Sequence, residues 1–184
     1  MEKLLFATNN THKLAEVRQI LQERCALISL AEAGVQSNPV EDAPTLEGNA
    51  LIKVRDAHRL SQLPTIADDT GLEVDCLGGA PGVHSARYAG EAHNDAANRQ
   101  KLVEDLRSFS PPYKARFRTV VAYIDAAGAE HIVGKESDFT VHVAEQFYRF
   151  DVRVLCVLCD YRIIALFVNH RERQLQSDRV EFVS

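Results

Sequence analysis

Six polar residues, Thr8, Asn9, Asn10, Thr11, His12 and Lys13, separate an apolar run from a helix-like pattern within residues 4 to 21. A strand passing through a short polar loop into a helix presents unpaired N–H groups and the positive end of the helix dipole, which suits a phosphate. Lys13 adds a full charge near that helix start. The same six residues also read as a plain capped helix, with Asn10 or Thr11 as the cap. The loop has no glycine, which excludes a P-loop or a dinucleotide fingerprint. Any left-handed position in it falls to Asn9 or Asn10.

Carboxylates follow at "DDTG", residues 68 to 71. Asp68 and Asp69 are expected at the end of an apolar strand, where successive side chains point to opposite faces, so only one can face a given pocket. A carboxylate there can hold Mg²⁺ or take a proton from water. The competing reading is an Asx-turn before Gly71. Glu41, Asp42 or Glu47 can add a second metal ligand, or be solvated surface charge. Lys53 lies four residues after Asn49, so both share a helix face and can reach one anion. The loop "GGAPGVHSARYAGEAHND" carries Ser85, Arg87 and Tyr88 near its centre. His84 and His93 lack zinc-ligand spacing.

These residues need elements to hold them. Residues 3 to 7 read as a buried strand, and Leu14, Val17, Ile20 and Leu21 recur at helical spacing after it. A second helix is expected from about Leu46 to Leu60, ended by Pro64. Residues 65 to 67 read as a strand leading to an acidic turn, then a short strand and a glycine-proline loop. A third helix fits residues 95 to 107, and "ARFRTVVAYID" and "HIVGKESDFTVHV" alternate as strands. That order points to an α/β domain with a mixed sheet.

The chain has 184 residues, 46% of them hydrophobic, which favours one domain with a sizeable core. A net charge of −5 without long like-charge blocks argues against a nucleic-acid-coating face. No run approaches a membrane span and the first residues contain no signal-peptide core, so a soluble cytoplasmic protein is expected. Four scattered cysteines support neither a disulfide framework nor a zinc site, and Cys156 and Cys159 read as buried thiols in a strand.

Taken together, "FATNNTHKLAEVRQIL", "PTLEGNALIKVRDA", "LPTIADDTGLEVDCLGGAPGVHSARYAG" and "ARFRTVVAYID" resemble the inosine triphosphate pyrophosphatase family in order and spacing, over roughly residues 3 to 125. The resemblance implies an elongated α/β domain with a long mixed β-sheet flanked by helices, and a homodimer. It also implies Mg²⁺-dependent hydrolysis of deaminated purine nucleoside triphosphates (ITP, dITP, XTP) between the α and β phosphates. Carried over position by position, Thr8, Asn10 and Lys13 hold phosphates, while Asn9, Thr11 and His12 shape the loop. Lys53 faces the triphosphate and Thr70 touches substrate. Glu41 and Asp69 bind metal, and Asp69 is also the general base.

The last fifty residues depart from that pattern. All nine glycines fall at or before Gly134, all six prolines at or before Pro112, and the last lysine is Lys135. The family's glycine-rich "GFGYDP" word and its serine-histidine-arginine word have as nearest counterparts "FYRFD" and "NHRER". Phe150, Asp151, His170 and Arg171 are therefore the candidate base-site residues. Loss of glycine from a loop that approaches a base is not neutral. Residues 136 to 184 are read as atypical, through divergence or through an altered reading frame; the absence of Gly, Pro and Lys favours the second.

Overall fold

A computed structural model describes residues 3–21, 25–90 and 94–141. Strand β1 (Lys3–Phe6) leads into helix α1 (Thr11–Leu21), followed by β2 (Ala26–Ser29) and α2 (Leu46–Ser61). Then come β3 (Thr65–Val74), the two-residue β4 (Pro81–Gly82), α3 (Asp95–Leu106), β5 (Tyr113–Ile124) and β6 (Glu130–Val141). The strands form one sheet in the order β2-β1-β3-β5-β6, with β4 also on β3. β2, β1 and β3 are parallel, whereas β5 and β6 run antiparallel, so the sheet is mixed as expected.

Side chains alternate along β3 and β5, and this sorts the core into two layers. On one face Leu14, Val17, Ile20 and Leu21 of α1 pack on Leu4, Phe6, Ile66 and Val121. Further along that face, Leu102 and Leu106 of α3 cover Leu72, Val74, Tyr113 and Ala115. On the other face Leu46, Ala50, Val54 and Ala57 of α2 cover Leu5, Ala67, Val120, Ala122 and Ile124. Thr45 caps α2, its hydroxyl accepting the Gly48 N–H at 3.1 Å.

β3 is longer than its sequence suggests. The expected strand over residues 65 to 67 and the acidic turn after it are one continuous strand, because β5 pairs with β3 at every position from Thr65↔Ile124 to Val74↔Ala115. Tertiary pairing overrides the weak strand preference of Asp68 and Asp69. β3's other edge is shared: β1 pairs at Leu5↔Thr65 and Phe6↔Ile66, and β4 at Leu72↔Gly82 and Glu73↔Pro81. Between them, residues 67 to 71 have no strand partner on that edge among the described residues.

Gly71 marks the upper limit of this opening. A Cβ there would lie 2.6 Å from the Gly82 carbonyl oxygen and 3.2 Å from Leu46 Cδ2. Backbone oxygen yields only if β4 moves, so Gly71→Ala should destabilise the fold by about 1–3 kcal/mol, read as a lower urea midpoint. An unchanged midpoint would contradict the close approach.

Candidate active site

Asp68 and Asp69 occupy the open stretch of β3, and the alternation of the strand sends them to opposite faces. On the α1 face the Lys13 ammonium donates to Asp68 Oδ2 at 2.6 Å, and the Asp68 side chain is only 2% exposed. On the α2 face Lys53 Nζ lies 3.2 Å from Asp69 Oδ1 and 3.0 Å from Glu41 Oε2. One strand thus presents two lysine–carboxylate pairs, one on each side of its open edge. Thr70 returns to the α1 face, where its hydroxyl pairs with that of buried Thr119 at 3.1 Å.

The electrostatics of the α2 side are unusual for surface charges. Burial raises the Asp69 pKa, and Glu41 adds to that; Lys53 and the Asn49 side chain pull the other way without cancelling it. Burial works against the charge on Lys53 too, but Asp69, Glu41 and Asp68 together raise its pKa and keep it an ammonium. Asp69 Oδ2 is buried and has no hydrogen-bond partner. A buried carboxylate oxygen without a partner is costly unless something from outside the chain completes it.

The loop from Thr8 to Lys13 turns out to be self-capped. Asn10 Oδ1 accepts from the N–H groups of both His12 and Lys13, at 2.9 and 3.1 Å, and Thr8 Oγ1 accepts from Asn10 N–H at 3.1 Å. Those two helix N–H groups are therefore committed, and the loop offers a phosphate side chains rather than the bare helix start. Neither Asn9 nor Asn10 is left-handed, because Gln62 is the one non-glycine residue with positive φ among those described. Asn9 reaches instead toward the Ser37 carbonyl at 3.5 Å. Thr11 and His12 are exposed on the rim.

Among the three acidic candidates the geometry selects one. Glu47 is bound by the Arg118 guanidinium and Asp42 is exposed, while Glu41 meets Lys53. Asn49, expected to reach an anion beside Lys53, is 1% exposed and accepts the Ala43 N–H at 3.0 Å, so it serves the protein rather than an anion. Arg87 is a cation the sequence singled out without a role. Its guanidinium donates to the Glu41 carbonyl at 3.4 Å, which brings it to the same cluster. Ser85 is structural: its hydroxyl accepts from Leu72 N–H at 2.7 Å and donates to the Gly82 carbonyl at 2.6 Å. Tyr88 is bound through its hydroxyl to Asp105. Phe150, Asp151, His170 and Arg171, like Cys156 and Cys159, lie outside the described residues.

Glu41 and Asp69 fit a hard divalent cation. Mg²⁺ is commonly held by one or two carboxylates, with waters and substrate phosphates filling the other positions. The unpartnered Oδ2 of Asp69 is the atom such an ion would complete. Among the described residues no group of three or more His, Cys, Asp or Glu forms a closed metal cage, and none of the helices is long and apolar enough to cross a membrane.

Comparison with known proteins places this geometry in context. The Ham1 family profile matches residues 4–141. A dITP/XTP pyrophosphatase of Porphyromonas gingivalis is 54% identical over 135 residues, covering 73% of this chain and 70% of the relative. One of Clostridium perfringens is 39% identical over 147 residues, covering 76% and 72%. A solved HAM1 protein of Coxiella burnetii superposes with a TM-score of 0.72 at 31% identity, covering 82% of this chain and 80% of that one. The Staphylococcus aureus Ham1 protein gives 0.70 at 30% identity, covering 77% and 72%.

Proposed function

The chain belongs to the Ham1 family, and from that premise we propose that it hydrolyses deaminated purine nucleoside triphosphates (ITP, dITP, XTP) to the monophosphate and pyrophosphate. The observation that carries this reading is the buried, unpartnered Asp69 Oδ2 beside Lys53 and Glu41 on an open strand edge. In this mechanism the triphosphate lies along the open edge of β3. Lys13 holds it from the α1 face, Lys53 from the α2 face, and Thr8, Asn10 and Thr70 contact it with side-chain oxygen or amide groups. Asn9, Thr11 and His12 keep the loop in shape.

Asp69 takes a proton from water as the water oxygen bonds to the α-phosphorus. The bond from that phosphorus to the bridging oxygen breaks, and pyrophosphate leaves. Burial raises the pKa of Asp69, which makes it a better proton acceptor than an ordinary carboxylate. Glu41 and Asp69 would hold Mg²⁺, which when bound neutralises charge on the triphosphate. No covalent nucleophile is required, since positioning and charge neutralisation supply the rate. Arg87 joins this set as a cation that can approach the phosphates. A homodimer in the cytoplasm, built from a single domain and contacting neither nucleic acid nor membrane, completes the proposal.

The compositional change after residue 136 favours a second reading, a less selective pyrophosphatase with the phosphate machinery intact. In the leading reading Phe150, Asp151, His170 and Arg171 hold the base. Incubating the full chain with Mg²⁺ and either ITP or ATP separates the two. Release of IMP and pyrophosphate from ITP, at least about 10-fold faster than the corresponding release from ATP, is the expected result. Equal rates would establish the second reading. No release above an Asp69→Asn control would leave a nucleotide-binding protein without catalysis and overturn both.

A further inference from the structure

The segment that carries Glu41 has no regular structure of its own. Residues 35 to 43 form neither helix nor strand, so side chains from elsewhere must hold them. Helix α2 holds two points: Asp56 Oδ2 accepts from the Ser37 hydroxyl at 2.7 Å, and Asn49 Oδ1 accepts the Ala43 N–H at 3.0 Å. Gly48 lets Ala43 lie that close, because a Cβ on it would sit 2.5 Å from Ala43 Cβ. Between those points the Glu41 carboxylate meets Lys53, and the Glu41 main-chain carbonyl accepts from the Arg87 guanidinium at 3.4 Å.

Arg87 comes from a different part of the fold and arrives firmly mounted. It ends the short turn Ser85–Arg87, whose first residue is tied to β3 by accepting the Leu72 N–H at 2.7 Å. Asn98 of α3 holds both flanks, accepting the Ala89 N–H at 2.8 Å and donating to the Ala86 carbonyl at 3.1 Å. Tyr88 donates its hydroxyl to Asp105, also on α3. Arg18, Arg55, Arg116 and Arg118 all pair with carboxylates. Arg87 is half-buried and, among the described residues, its side chain bonds to the Glu41 carbonyl and to no carboxylate.

We propose that Arg87 is a positioning residue for the metal site: it holds the Glu41 main chain while Lys53 holds the Glu41 carboxylate, so that this metal ligand is fixed at both ends. The inference rests on the metal role given above to Glu41. It assigns Arg87 an action through Glu41, in addition to any approach to the phosphates. The sign of the effect separates positioning from charge. A guanidinium acting only by its charge repels a nearby cation, so removing it would tighten metal binding. One that places a metal ligand does the reverse, because losing such support weakens binding by about 10- to 100-fold.

Calorimetric titration of the full chain with Mn²⁺, in the absence of nucleotide, reads that sign. Arg87→Met should bind Mn²⁺ at least about 10-fold more weakly than the parent. Arg87→Lys keeps the charge but is shorter and lacks the planar fork, and should also bind at least about threefold more weakly. With ITP, the Mg²⁺ concentration for half-maximal rate should rise at least about 10-fold in Arg87→Met. Equal or tighter Mn²⁺ binding in Arg87→Met, including equal absence of binding, would overturn the proposal, as would an unchanged Mg²⁺ requirement. Parent-like affinity in Arg87→Lys would overturn it too, since charge alone would then suffice. Arg87→Lys is the milder change and decides the matter alone where Arg87→Met does not fold. A parent chain that binds Mn²⁺ but releases nothing from ITP would defeat the function proposed above and leave the Mn²⁺ comparison readable.

Discussion

Asp69→Asn is expected to abolish turnover and, at neutral pH without metal or substrate, to raise the thermal midpoint. The activity loss follows from removing the proton acceptor, for which about 10³-fold or more is reasonable. The gain in stability follows from linkage. Burial raises the Asp69 pKa above its ordinary 3.8, against the attraction of Lys53. A carboxyl with a higher pKa in the folded state binds more protons folded than unfolded between the two values, so stability falls as pH rises through that window. Below the ordinary value both states are protonated and the penalty vanishes. Asparagine resembles the protonated form at every pH, so the variant's advantage should appear as pH rises from about 4 and persist at pH 7. Melting curves in EDTA from pH 3 to 8, paired with pyrophosphate release from ITP, check both halves. A lower midpoint for Asp69→Asn at pH 7, or retained turnover, would remove Asp69 from its assigned role.

That trade-off shows why the site was only partly legible in the sequence. The alternation of a strand already required Asp68 and Asp69 to face opposite ways. Which one met which lysine was not readable, because Lys13 and Lys53 come from helices on different faces of the sheet. Local preference ended the strand before the acidic pair, whereas pairing with β5 carries it through to Val74. β2 went unread for a related reason: four residues, Ala26–Ser29, with β1 as their strand partner, give too short a pattern to stand out.

From residue types and spacing alone the choice of Glu41 over Glu47 was equally out of reach, and only the family resemblance pointed to Glu41. That choice depends on Arg118, which lies 71 residues from the Glu47 it binds. Spacing suggested that Asn49 and Lys53 act together, and they do lie on one face of α2. What spacing could not reveal is that burial turns Asn49 inward to Ala43 while the longer Lys53 reaches the carboxylates. The loop from Thr8 to Lys13 was legible as a cap and as a phosphate site at once. The structure realises the cap, and Asn10 occupies the N–H groups that a bare helix start would have offered to an anion.

In the proposed mechanism the cap leaves Lys13 with a larger share of the phosphate contact, and its pairing with Asp68 allows structural and binding effects to be separated. Lys13→Met should destabilise the chain by about 2 kcal/mol, because Asp68 stays buried after its counter-charge is lost. Side-chain exposure of 30% for Lys13 against 2% for Asp68 places the cost on the carboxylate side. Adding Asp68→Asn should return most of that stability, since a neutral amide at the same place needs no cation. It should not return triphosphate binding: KM for ITP is expected to stay about 10- to 100-fold above the parent in the double variant, as after loss of a charged contact. Asp68→Asn alone keeps the ammonium but frees it from its anchor, and should raise KM less than Lys13→Met does. Urea unfolding and steady-state kinetics on the four chains complete a double-mutant cycle. Recovery of KM together with stability would make Lys13 a structural counter-ion. Recovery of neither would show that the stability loss does not arise from the buried pair.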